Sequence, residues 1–574
     1  MGPRAPQDLK PQAPGDGALW NSALESPSAA YADADRSPEH DGVSVAIDTL
    51  ASVLPAKIPA CKAVAVATVS LILAVVPSCG HAAQTAVGAR VPATPAQSAV
   101  ASPRPAPAVH PSPSPPRRAA VTADFTAVSR LIDNAIAAHR LPGAVVLVGH
   151  GGETVFHHAY GARKFAGEPG LDGSAAPAEP MTEDTIFDLA SLTKSLATAV
   201  AVMQLYEQGR VQLDDPVQKY LPGFNPADDP QRARVTVRML LTHFSGEVPD
   251  VNLDDPWGLK GADKNEGITR ALTAPLQSGP GEVFRYSDIN FILLGELIER
   301  VTGEPEDVYV ERNVFAPLGM SDTHYLPPAK ACGPHTVKGA ALRWAPAGRG
   351  GLPVRCPAGT WSTDLLSRIA PTAHDDEGRR DPRTNPDYGQ LLRGAVHDGT
   401  ARRMGGVAGH AGVFSTAHDV GMFAQGLLDR LANRPSAFPL EKATLELMTT
   451  PQQPGHTPRQ IDAARDTAAG AAKRTPNARL APHYPAIRGQ NLRGLGWDID
   501  TAHSQPRGMV FPVGGFGHTG FTGTSVWIDP GSDTYVILLA NAIHPWGNPP
   551  ISMLRGEVAT AAARALGLYS DAPR

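Results

Sequence analysis

An α+β fold is predicted by three stretches in which helical and strand patterns lie side by side. In "FTAVSRLIDNAIAAHR", Phe125, Val128, Leu131, Ile132 and Ile136 share one helical face. The next stretch, "GAVVLVGHGGETVFHHAYG", reads as two strands turning at Gly151-Gly152. "SLTKSLATAVAVMQLYEQG" (Ser191 to Gly209) again carries apolar residues at helical spacing and stops at a glycine.

The 574 residues suffice for one large or two ordinary domains, and 42% hydrophobic content suits a globular core. A net charge of -5 gives no basic footprint for nucleic acid, which excludes phosphate backbones as favoured partners. Lys57 and Lys62 precede the apolar run Ala63 to Val76, which is the length of a signal-peptide core and too short for a spanning helix. Residues 57–82 are therefore read as an export signal. The run ends in "VPSCGHAA", where Cys79 follows a small residue and resembles the lipidated cysteine of a bacterial lipoprotein, although Pro77 departs from that pattern. Cleavage near Ala82, or a plain hydrophobic anchor, are the alternatives.

Residues 1–56 stand in front of this signal, where a secretory leader is normally short, and read as a disordered extension or an over-long reading of the gene. From Gln84 to Arg118 there is no Leu, Ile, Phe, Trp or Met, so residues 83–120 cannot bury enough apolar surface to order themselves. Such a Pro-rich stretch is extended and semi-stiff, a tether for the domain at 121–570.

Ser191 lies at the start of its helix, and Lys194 at i+3 shares its face. A serine hydroxyl is a weak nucleophile until a neighbouring base takes its proton, and the free amides of a helix start favour developing negative charge. Taken alone, Ser-x-x-Lys is equally a capped apolar helix. Two further stretches give it context. "PGEVFRYSDINFILLGELIERVTG" places Tyr286, Ser287 and Asp288 in a turn before an apolar helix; "GGFGHTGFTGTSVWIDP" places His518, Thr519 and Gly520 on a glycine-flanked strand.

Ser-x-x-Lys, Tyr-Ser-Asp and His-Thr-Gly in this order resemble the serine β-lactamase and penicillin-binding protein superfamily, in the branch of class C β-lactamases, D-alanyl-D-alanine carboxypeptidases and related serine esterases. "VTVRMLLTHFSG", "VFAPLGMSDTHY", "GGVAGHAGVFSTAHDVGMFAQGLL", "LGWD" and "VILLANAIHP" extend the resemblance over about 121 to 570, and "GGVAGHAG" is similar to a D-alanyl-D-alanine carboxypeptidase subgroup. The resemblance implies an antiparallel sheet flanked by helices, a mainly helical lobe beside it, and the cleft between them. It implies Ser191 as nucleophile, Lys194 and Tyr286 as managers of its proton, the lysine favouring a phenolate-like tyrosine, and the amides of Ser191 and Phe521 as an oxyanion hole. Asp288, His518, Thr519 and Gly520 would bind substrate, and no cofactor is implied.

Two residues depart from the commoner family pattern. The family often has asparagine at the position of Asp288; an ionised aspartate only accepts hydrogen bonds, and beside Lys194 it favours the ammonium, shifting the base's task to Tyr286. His518 stands where many members have lysine, so recognition of a substrate carboxylate through it is expected to depend on pH near neutrality. The function implied is an exported acyl-enzyme hydrolase, periplasmic or lipid-anchored, acting on D-Ala peptides of peptidoglycan. Ester hydrolysis, β-lactam hydrolysis and a non-catalytic wall-binding or sensor module are the alternatives.

Smaller features have plainer readings. Cys332 and Cys356 are either paired or free. In "HDDEGRRDPR", His374, Asp375, Asp376 and Glu377 read as a solvated charged loop rather than a metal site, since no second ligand cluster accompanies them. His243 in "LLTHFSG" reads as a packed, hydrogen-bonded histidine, and the glycines around His410 as a tight loop. Residues 451–490 read as a polar insertion beside the cleft. No Gly-x-Ser-x-Gly elbow is present, which removes the α/β-hydrolase route to an esterase.

Overall fold

The computed structural model describes residues 123–344, 355–475, 477, 484–545, 547 and 551–570. Residues 1–56, the expected export signal at 57–82 with Cys79 and the expected tether at 83–120 lie outside them.

The apolar stripe of the first stretch forms the helix Thr126–Ala137, burying Val128 and Ile132. The chain then runs through strands Gly143–His150 and Glu153–Lys164. Between them Gly151 and Gly152 take φ of 62° and 87°, a left-handed pair that glycine adopts without Cβ strain. The first strand pairs antiparallel with Thr534–Ala540, from Ala144 opposite Ala540 to His150 opposite Thr534. Chain segments almost 400 residues apart in sequence thus meet at the centre of one sheet.

Among the described residues that sheet has eight strands, in the order Leu492–Arg493, Asp498–Asp500, Phe516–Thr519, Ser525–Asp529, Thr534–Ala540, Gly143–His150, Glu153–Lys164, Glu179–Pro180, with every neighbouring pair antiparallel. Alternation sends Val146 and Val148 to one face, where Thr126–Ala137 and Ser552–Ala565 cover them. Val145 and Leu147 point to the other face, into the larger core that includes Ala417–Leu431 and the helical lobe. Each such fully buried aliphatic side chain contributes about 1.5–3 kcal/mol.

The lobe is built from Ala199–Glu207, Val237–Thr242, Lys264–Thr273 and Asp288–Thr302. The first of these is entered through a π-turn, Lys194–Thr198, and Gly209 at φ 70° follows its end. Ser195 Oγ donates to Gly496 O at 2.7 Å, and the Gly496 amide donates to Leu241 O at 3.0 Å, which locks the "LGWD" segment onto the lobe. Cys332 and Cys356 form a disulfide, Cα atoms 5.6 Å apart. The 451–490 segment contains the helix Gln460–Arg474, whose Arg465 Nε donates to Val513 O at 3.1 Å ahead of the strand carrying His518.

The charged stretch around residue 375 differs from its sequence reading. Asp375, only 1% exposed, pairs with Arg402 at 2.8 Å, and Glu377 pairs with the buried Arg403 at 2.5 Å. These carboxylates serve buried ion pairs because the loop folds back over the helix Gly399–Arg403, which periodicity within the loop does not reveal.

Candidate active site

Ser191 follows the short strand Phe187–Asp188, which pairs with Val413–Ser415. The intervening Ala190 has φ 47°, a conformation costing an L-residue roughly 1–2 kcal/mol. The Asp188 carboxylate compensates by accepting from the amides of Ala190 at 2.9 Å and His397 at 2.8 Å. Burial pushes that carboxyl up to about 6, against the pull of the two amides.

From the sheet side, Thr522 Oγ1 donates to Asp188 O at 2.7 Å and Thr524 Oγ1 to Leu189 O at 3.0 Å. They stitch the turn after Phe516–Thr519 to the turn before Ser191. Gly520 lies in this seam, where a Cβ would come 2.1 Å from Thr524 Oγ1 and 2.4 Å from Leu189 O. The Phe521 ring stacks on His397 with centroids 5.9 Å apart. Among the described residues, neither the Ser191 nor the Phe521 amide has a hydrogen-bond acceptor, which leaves both donors for a developing oxyanion.

Lys194 is fully buried, its Nζ 2.9 Å from Ser191 Oγ, 3.0 Å from His410 O and 2.6 Å from Asp288 Oδ1. Burial opposes its charge, but Asp288 and then Tyr286 outweigh burial and raise its pKa above the ordinary lysine value. Lys194 is thus an ammonium at neutral pH.

Tyr286 is stacked on His243 with ring centroids 4.5 Å apart, and Lys194 Nζ lies 5.0 Å from its own ring centroid. Burial raises the Tyr286 pKa; Lys194 pulls against this and Asp288 adds to it. The resting residue is therefore a phenol, which corrects the phenolate-like expectation: burial, with Asp288 added, outweighs the pull of Lys194. His243 is the platform beneath it. Its Nδ1 accepts from the Ser287 amide at 3.2 Å and Asn290 Nδ2 at 3.1 Å, and burial holds its pKa well below the ordinary value. His503 also lies against the tyrosine ring, tilted, with centroids 4.9 Å apart. Neither histidine carries a sequence signal for this role, because only the tertiary fold brings them to Tyr286.

Asp288 opens the helix Asp288–Thr302 behind Ser287, its amide donating to Pro249 O at 2.7 Å. A second polar layer lies behind Lys194. His410 Nε2 is 2.8 Å from Asp398 Oδ1. Burial opposes protonation of His410, but Asp398 outweighs it and raises the pKa. Asp250 is pushed up to about 8 by burial and by Asp288 and Asp398.

His518 sits near the end of Phe516–Thr519, 1% exposed, with Nδ1 2.9 Å from Thr519 O. A carbonyl only accepts, so Nδ1 carries the hydrogen and Nε2 presents a lone pair. Burial, resisted by Asp498 and reinforced by Arg493 and Lys194, takes the His518 pKa down to about 3. The expected change of charge near neutrality is therefore absent. Arg493 and Asp498 form a fully buried ion pair behind it. Their partnership depends on the pairing of Leu492–Arg493 with Asp498–Asp500, and nothing in the linear sequence announces it.

The Beta-lactamase family matches residues 128–559. A protein of Escherichia coli strain K12 described as "Putative D-alanyl-D-alanine carboxypeptidase" is 29% identical over 416 residues, 70% of this chain and 79% of that one. A Salmonella typhi protein of the same description is 28% identical over 426 residues, covering 72% and 81%. Unliganded simvastatin synthase of Aspergillus terreus, in its selenomethionyl form, shares the fold at a TM-score of 0.51 and 22% identity, covering 79% of this chain and 100% of that one. With motif order, sheet topology and a match spanning most of the folded part in agreement, the chain belongs to the Beta-lactamase family and is a serine hydrolase.

Proposed function

We propose that the protein is an exported hydrolase that forms an acyl-enzyme on Ser191 and cleaves D-Ala-terminated peptides of the peptidoglycan type. The observation that carries the reading is the 2.9 Å contact between Lys194 Nζ and Ser191 Oγ at the head of a helix. In this reading Ser191 Oγ attacks the scissile carbonyl, Lys194 and Tyr286 manage the protons, and the amides of Ser191 and Phe521 hold the oxyanion. Each such donor is typically worth about 3–4 kcal/mol in the transition state. Asp288, His518, Thr519 and Gly520 border the bound acyl group, and water releases it from the serine. The carboxypeptidase description of the E. coli and Salmonella relatives supports the peptide substrate.

Export rests on the Ala63–Val76 run, with Cys79 as the site of a lipid anchor. The Cys332–Cys356 disulfide suits an oxidising compartment. A second reading, hydrolysis of an ester, is favoured by the neutral His518, which supplies no fixed cation for a substrate carboxylate.

Intact-protein mass spectrometry after exposure to a fluorescent penicillin and to a fluorophosphonate tests the acyl-enzyme. A single adduct, lost in Ser191→Ala, is expected. Absence of any adduct on wild-type protein would instead favour a non-catalytic wall-binding or sensor module. D-alanine release from a muropeptide, measured beside p-nitrophenyl ester turnover, then decides the substrate.

A further inference from the structure

Where many members of the family carry an asparagine that binds the substrate, this chain carries Asp288, and its carboxylate is turned to the lysine. Oδ1 lies 2.6 Å from Lys194 Nζ, and the side chain keeps 22% of its exposure while Lys194 keeps none. Asp288 Oδ1, Ser191 Oγ and His410 O therefore surround one nitrogen, with the Tyr286 hydroxyl beside them. Lys194 Nζ donates to Ser191 Oγ and to His410 O, while the Asp288 carboxylate, which can only accept, meets it as a close ion pair.

We infer that Asp288 is a positioning residue that acts through Lys194, taking up the proton that Ser191 loses, rather than a residue that binds the substrate's amide. The inference rests on the acyl-enzyme reading above. Its steps balance. Lys194 passes one N–H proton to Asp288 Oδ1, leaving a neutral amine beside a carboxylic acid. A third of a turn about Cε–Nζ, a motion of the methyl-rotation kind and fast on the scale of turnover, brings the lone pair to Ser191. As Oγ bonds to the substrate carbon, its proton moves to Nζ and restores the ammonium. When the tetrahedral adduct collapses, Tyr286 Oη gives its proton to the leaving nitrogen or oxygen. The tyrosine is then reprotonated from Lys194, and the lysine from Asp288, so no proton is gained or lost over acylation.

The neighbouring acids are less suited to this task. Asp250 contacts the Val251 amide at 2.7 Å and Thr400 Oγ1 at 3.2 Å, and the Asp398 carboxylate is engaged by His410 at 2.8 Å. Asp288 alone among them has an ion pair with Lys194 among the described residues.

The test is the concentration dependence of acylation by a fluorescent penicillin, measured on the full chain with melting temperature as a fold control. Asp288→Asn restores the family's commoner residue, so a substrate-binding role predicts an unchanged or faster reaction. The inference expects the limiting acylation rate to fall by about 100-fold with the half-saturating concentration little changed, and Asp288→Glu to recover most of the loss. A limiting rate at or above wild type, or a change confined to half-saturation, overturns it. If Asp288→Asn does not fold, Asp288→Ser decides: the inference expects the same fall of about 100-fold in the limiting rate, and a limiting rate within a few-fold of wild type overturns it. Wild-type protein that takes no label removes the acyl-enzyme reading itself and this inference with it, whereas labelled wild type with an equally fast Asp288→Asn removes the inference alone.

Discussion

Gly520 is the residue whose constraint is easiest to state in atoms. A methyl group there would overlap Thr524 Oγ1 and Leu189 O, both part of the seam that aligns Phe521 with Ser191. Gly520→Ala should therefore lower the acylation rate by about 100- to 1000-fold, the usual effect of losing one oxyanion donor, while the melting temperature falls by only a few degrees; stopped-flow acylation beside a thermal melt checks both. An unchanged rate would mean that the Phe521 amide is not used. Of the site residues, Ser191, Lys194, Tyr286 and Phe521 were legible because their motifs are local: a helix start, a turn, a strand end. The charge states were not. The Tyr286 phenol and the neutral His518 follow from burial and from charges on other segments, which no motif records.

At the level of elements, the loop carrying His410 is held by close backbone contact with the helix Asp288–Thr302. A Cβ on Gly409 would come 2.1 Å from Phe291 O, and one on Gly295 would come 2.5 Å from Glu306 Oε2 and 3.0 Å from the Gly409 amide. Thr198 Oγ1 donates to Gly409 O at 2.7 Å, tying the loop to the turn Lys194–Thr198 that follows Ser191 as well. Gly409→Ala should cost about 1–3 kcal/mol, the usual penalty of overpacking. It should also weaken acylation, because His410 O is displaced from Lys194; urea unfolding and penicillin labelling measure the two effects, and a variant with native stability and activity would refute the close packing. The glycines of "GGVAGHAG" were readable in sequence as a tight loop. That the loop delivers a carbonyl to Lys194 was not, since 216 residues separate the two partners. Helices and the first hairpin were legible for the opposite reason: their periodicity and the Gly151-Gly152 turn act within a few residues.

For the whole molecule, several carboxyls are buried without full compensation. Burial dominates in each: Glu247 is pushed up to about 8 against the opposing Arg232, Glu306 up to about 7, and Asp250 up to about 8. A folded pKa raised above the unfolded value adds stability below the unfolded pKa, and that stability is lost as pH rises through the folded one. The buried histidines His243, His397, His503 and His518 have lowered pKa values and act in the opposite sense, but only below their unfolded value near 6.5. The two groups oppose each other between about pH 4 and 6.5, and above that the carboxyls dominate. Melting temperature should thus change little up to pH 6.5 and fall from there to about pH 8, with Glu247→Gln flattening the fall; a rise over that interval would contradict the burial of these acids. The sequence by itself determined which residue types stand at a helix start, a turn and a strand end, because those signals depend on spacing along the chain. Only the tertiary structure decided that Asp288 faces Lys194, that His518 is neutral and that Arg493 and Asp498 lie behind it, because distance and desolvation are set by segments that meet only when the sheet closes around its first and last strands.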